Sequence, residues 1–188
     1  MFLSIITVLC LLTGQISVEA AGGMALPGSP ESDTPALDMD LRLKTEIAPH
    51  WCLFISGSFW KLENFNPTGE IPEFTGIDPV FGYDVYAEYS DSHRGIQLGA
   101  EKTLGSVFLE IAGGMYSRTV MTYLTGSDGR PGEERAKDSG FLGSFAVGIP
   151  AGDHGILRLG TRTEGFEDWF ITISAGLSIT IPSSGEAQ

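Results

Sequence analysis

Leu37-Asp38-Met39-Asp40-Leu41-Arg42-Leu43-Lys44-Thr45-Glu46-Ile47 is an unbroken alternation of apolar with charged or polar side chains. Successive strand residues point to opposite faces, so this stretch satisfies its pattern as a β-strand with one apolar and one charged face. Wound as a helix, it would scatter Asp38, Asp40, Arg42, Lys44 and Glu46 around the whole cylinder. A strand of roughly ten residues is also long enough to cross a bilayer at a tilt.

The pattern returns along the chain. Trp51 to Leu62 sets Trp51, Leu53, Ile55, Gly57 and Phe59 against Cys52, Phe54, Ser56, Ser58 and Trp60. Phe81 to Ser90 and Gly95 to Thr103 read as two strands joined by Asp91-Ser92-His93-Arg94. A fifth strand runs from Val107, and a sixth from Phe141 to Ile149. The seventh alternates Leu157, Leu159, Thr161 and Thr163 with Arg158, Gly160, Arg162 and Glu164. The eighth, Phe170 to Ile181, alternates isoleucine and leucine with Thr, Ser and Gly. Most of these strands adjoin the next through a short connector, which favours sequential antiparallel hairpins. The expectation is an all-β fold, an eight-stranded antiparallel up-and-down barrel over residues 37–182 that leaves no exposed edge.

Such a barrel is either soluble, with its apolar face inward, or embedded in lipid, with that face outward. Trp51 and Phe59 bracket one apolar face, and Phe81 and Tyr89 another, each pair eight residues apart. At a tilt of roughly 40° that is about 20 Å along the axis, close to the spacing of two interfacial aromatic girdles. The polar face mixes Gly99, Ala112, Gly114, Ser144, Gly148, Gly160, Gly176 and Ser178 with Asp40, Arg42, Lys44, Glu88, Glu101, Glu110, Arg158 and Arg162. Small residues make room for long ones in a narrow lumen, and buried charges need partners of opposite sign. Arg158 and Arg162 are expected to neutralise acids such as Glu110, Glu101 or Asp40. Leu53, Ile55, Val85, Leu109, Val147, Leu159 and Ile173 are expected to face lipid. The alternative is a soluble, lipocalin-like secreted or periplasmic barrel that lines an apolar ligand pocket with the same residues.

The rest of the chain fits an exported protein. Phe2 to Leu12 is an apolar run, and Val18-Glu19-Ala20 offers small residues where a signal peptidase reads, so residues 1–20 are expected to be a signal cleaved after Ala20. Residues 21–36, rich in Gly, Pro, Ser and acid, read as a flexible leader, and residues 183–188 as a tail. Cys10 would leave with the signal, so Cys52 alone allows neither an intramolecular disulfide nor a cysteine metal site. The net charge of −13 argues against nucleic acid as a partner and is read as solvated connectors.

An export signal followed by alternating strands resembles the small eight-stranded bacterial outer-membrane proteins. The segment Ala175-Gly176-Leu177-Ser178-Ile179-Thr180-Ile181 is similar to the one by which such barrels are recognised for assembly, although it ends in Ile181 rather than an aromatic. The resemblance implies a location in the bacterial outer membrane, with outer-membrane lipid and the barrel assembly machinery as partners and a surface ligand held by the outer loops. It implies a structural, adhesive or surface-interaction role without a conducting pore. Two long connectors are expected: 63–80 on the periplasmic side, and 117–140 facing outside, with Arg118 to Leu124 extending strand five.

For catalysis, His50 and Asp91-Ser92 are placed in connectors at the same, outer, end. This resembles the His with Asp or Ser at the rim of outer-membrane lipid-modifying enzymes. Turn composition explains all three residues, and no Gly-rich phosphate loop, HExxH or metal-spaced set is present. The expectation is no enzyme activity, no catalytic, metal or cofactor-binding residue, and no cofactor.

Overall fold

The computed structural model describes residues 15–27, 35–66, 86–125, 131–165 and 168–181. Its strands are β1 (Ile16–Pro27), β2 (Ala36–Ala48), β3 (Trp51–Asn66), β4 (Tyr86–Leu104), β5 (Val107–Thr125), β6 (Pro131–Ala151), β7 (Gly155–Glu164) and β8 (Asp168–Ile181). Each pairs antiparallel with the next, and β8 pairs with β1 to close the barrel. The pairing row that starts at Ile16 passes through Thr45, Leu53, Ala100, Ile111, Phe145, Thr161 and Ile171. It returns to β1 at Leu26, ten residues further along. That stagger tilts the strands, so each row climbs toward one end of the barrel as it passes from strand to strand.

The two ends differ. At one lie Ile16, Ile181 and the tight turns Pro49-His50, Gly105-Ser106 and 152–154. Gly105 and Gly152 take left-handed φ of 64° and 75°, which a Cβ would disfavour. At the other end lie the connectors 28–35, 67–85, 126–130 and 165–167. Transmembrane barrels keep short turns on the periplasmic side and longer loops outside, so these are the inner and outer ends.

The strand number matches the sequence reading, but the strands are not all the same ones. β1 falls where the end of a signal and a flexible leader are expected. Val18, Ala20, Gly22 and Met24 alternate with Glu19, Ala21 and Gly23, but side chains this small disguise the period. The cleavage expected after Ala20 would cut β1 and strip Ile16 to Ala20 from both neighbours. Residues 1–14, 28–34 and 182–188 lie outside the described residues. Phe81–Ser90 and Gly95–Thr103 are not two strands. Asp91 to Arg94 continue β4 in unbroken register with β3 and β5, and Asp91 and His93 owe their polarity to partners inside the barrel and not to a turn. One strand gained at the start reverses the end at which β2–β3 and β3–β4 connect. The long connector expected on the periplasmic side therefore spans 67–85 at the outer end, where long loops are usual. The connector expected over 117–140 shrinks to 126–130, because β5 and β6 pair up to Thr125 and Pro131.

The exterior is apolar. Ile111, Leu177 and Ile179 are 66%, 63% and 65% exposed, with Leu53, Val147, Leu159 and Ile173 also on the outside, as expected for lipid-facing positions. Trp51 stands near the inner edge of this band with Lys102 over its ring, 4.8 Å from the centroid. Phe141 and Trp169 stand exposed toward the outer edge. The stagger spaces the two edges by about 25 Å, the height of an apolar transmembrane band. Val85 and Phe81 fall outside the described residues, as does the side chain of Tyr89. A lipocalin-like barrel needs the reverse arrangement, and this structure excludes it: the apolar faces point out and the charges point in.

Candidate functional site

The lumen is where the chain concentrates its chemistry. Its inner half holds Glu19 from β1, Asp40, Arg42 and Lys44 from β2, Glu101 from β4, Glu110 from β5 and Arg158 from β7. Alternation aims each of them inward. Arg158 Nε donates to Glu110 at 2.8 Å, and its guanidinium also pairs with Glu19. Arg42 bridges Asp40, at 2.5 Å, and Glu110, while Lys44 holds Glu101 and stands 3.7 Å from Glu19. Glu19, Glu110 and Arg158 are 0%, 4% and 5% exposed. Ion pairs so deeply buried repay desolvation only when charges share partners, as Glu19, Arg42, Glu110 and Arg158 do here.

Aromatic rings fill the space between the charges. Arg42 lies 5.1 Å from the centre of the Phe54 ring, and Lys44 and Arg158 lie 5.5 and 5.4 Å from that of Phe108. These cation–π contacts let apolar rings occupy a charged lumen. Small residues make the room: a Cβ on Gly148 would come within 2.1 Å of Phe108, and one on Gly99 within 2.3 Å of Phe54.

A second network closes the outer half. His93 on β4 stacks on Trp60 from β3 with ring centroids 3.4 Å apart. Its Nε2 lies 2.8 Å from Asp91 and its Nδ1 2.5 Å from Glu164. Glu164 also accepts from Trp60 Nε1 at 2.9 Å, and Arg118 donates to Asp91 at 2.6 Å. Between the two networks Arg162 holds Asp38 at 2.9 Å.

The expected lumen charges Asp40, Arg42, Lys44, Glu101, Glu110, Arg158 and Arg162 all line it. Arg158 takes Glu110 as expected, but Arg162 takes Asp38, and Glu101 and Asp40 take Lys44 and Arg42. The side chain of Glu88 lies outside the described residues. Sequence reasoning missed Glu19, hidden in the supposed signal, and His93, placed in a connector. The alternation of Asp91 and His93 with Ser92 and Arg94 carried the signal for the second. The candidate catalytic set is not assembled. His50 is exposed in the inner-end turn with a left-handed φ of 70°. Asp91 is committed to His93 and Arg118 in the outer lumen, and Ser92 hydrogen-bonds the Thr119 carbonyl at 3.3 Å. Among the described residues no cluster of His, Cys, Asp and Glu fits a metal.

No family model and no curated protein matches the chain. Solved structures do. Ail of Yersinia pestis, crystallised with the heparin analogue sucrose octasulfate, aligns over 88% of this chain and 97% of its own at TM-score 0.56 and 9% identity. The N-terminal β-barrel domain of Pseudomonas aeruginosa OprF aligns over 89% and 100% at TM-score 0.56 and 9% identity. A major outer-membrane protein of Thermus thermophilus aligns over 89% and 100% at TM-score 0.53 and 10% identity. The fold is that of the small outer-membrane barrels. With only about a tenth of residues shared, the likeness is one of fold.

Proposed function

We propose that this protein is an integral β-barrel of the bacterial outer membrane, closed to solutes, that acts through its outer surface rather than through passage or catalysis. The observation that carries the reading is the pairing of an apolar exterior with a lumen filled at two levels by bridged charges and stacked rings. In this reading they close the lumen to metabolites, which leaves structural support and surface interaction through the outer connectors 28–35, 67–85, 126–130 and 165–167. Ail binds a sulfated sugar; the net charge of −13 disfavours a like polyanion as a ligand of this chain. Export would precede insertion, with the apolar run before β1 as the signal, any cut falling ahead of Ile16, and β8 presented to the assembly machinery. Planar-bilayer recording of the refolded protein tests the closed barrel. The reading expects no stepwise conductance; regular openings would replace it with a small channel. Labelled lipid A and phospholipid offered to the folded protein should be neither hydrolysed nor acylated.

A further inference from the structure

The barrel exterior is not evenly covered. Where β1, β2 and β3 meet, the outward positions are Ala20, Gly22 and Gly57, and a groove of about 610 Å³ opens over them. A Cβ on Gly57 would meet nothing within 4 Å. Met39, Leu41 and Phe59 wall the groove, and Arg94 of β4 stands at its upper corner. Gly22, Met39, Phe59 and Arg94 share one pairing row, and Ala20, Leu41, Gly57 and Ile96 the row beneath. Asp40 also borders the groove, but its carboxylate is held by Arg42 on the lumen side. Arg94 is exposed and has no carboxylate partner among the described residues. The climb of the rows brings it to about the height of Phe141 and Trp169, the outer edge of the apolar band. The groove therefore descends from headgroup level into the outer leaflet.

We propose that this groove binds an anionic, phosphate-bearing lipid of the outer leaflet. One acyl chain lies over Ala20, Gly22 and Gly57 between Met39, Leu41 and Phe59, and the phosphate accepts hydrogen bonds from Arg94. The guanidinium fork matches two phosphate oxygens, and at the edge of hydrocarbon the pairing is stronger than in water. A second barrel docked here would bring its apolar band against Arg94 and leave that charge unneutralised. The inference rests on the outer-membrane reading, so folding is checked first.

The full chain is refolded in phosphatidylcholine nanodiscs containing a minority of bisphosphorylated lipid A, and bound lipid is counted by native mass spectrometry. Heat-modifiable migration confirms the barrel; its absence would overturn the membrane reading and the groove with it. The expected result is one phosphorylated lipid retained per folded barrel. Arg94→Ala and Gly57→Leu, which fills open space and leaves the lumen untouched, should each lower retention about tenfold. Retention unchanged in both variants would overturn the site, and a dimer lost on Gly57→Leu would assign the groove to a second copy. Dephosphorylated lipid A with free inorganic phosphate should not substitute; equal retention of it would overturn the headgroup contact.

Discussion

At the scale of single residues, stability rests on charges that cannot be removed singly. Arg158 holds both Glu19 and Glu110 in the lumen. Arg158→Ala takes the shared cation from two buried carboxylates, leaving Glu110 to Arg42 and Glu19 to a more distant Lys44, and should cost about 3 to 5 kcal/mol in urea unfolding from vesicles. Lys137→Ala, exposed on β6, should leave the midpoint where it is. His93→Leu keeps volume but removes the imidazole between Asp91 and Glu164. It should destabilise by a similar amount, about 3 kcal/mol, and shift the emission of Trp60, its stacking partner. At this scale the sequence was half legible. The sign pattern of Arg158 against Glu110 could be read from alternation, whereas Arg162 with Asp38 depends on a stagger that no single strand reveals.

At the scale of elements, β7 and β8 show what alternation can determine. Along β7 burial switches at every residue from Ile156 to Glu164, and the isoleucines and leucines of β8 lie outward where the pattern put them. Ile173→Arg, on that lipid face, should weaken folding into bilayers by about 2–4 kcal/mol. Glycines separate the two faces further. Gly148→Ala drives a methyl into Phe108 and should cost about 1–3 kcal/mol, while Gly57→Ala, with open space around it, should be near neutral in the same unfolding assay. β1 and β4 were misread for opposite reasons. β1 has side chains too small to announce a face, and β4 has polar residues where a membrane strand leaves the apolar band and continues into the outer half of the lumen network.

At the scale of the whole molecule, closure explains how an apolar surface and a charged interior coexist in one chain. The strands pair around the whole ring, so the sheet presents no free edge strand to hydrocarbon. The architecture was legible because it depends on strand number and alternation. The biological role was not, because neither strand number nor alternation depends on it. The central claim, that the regular apolar face meets lipid, can be read at Leu159, which is 57% exposed near mid-band. An environment-sensitive fluorophore is attached at Leu159→Cys in a background lacking the two native cysteines, and the protein is refolded in vesicles carrying nitroxide at mid-chain. The account predicts blue-shifted emission quenched strongly by the mid-chain nitroxide and untouched by aqueous iodide. Emission at the wavelength found in water, quenched by iodide and not by the lipid nitroxide, would contradict it.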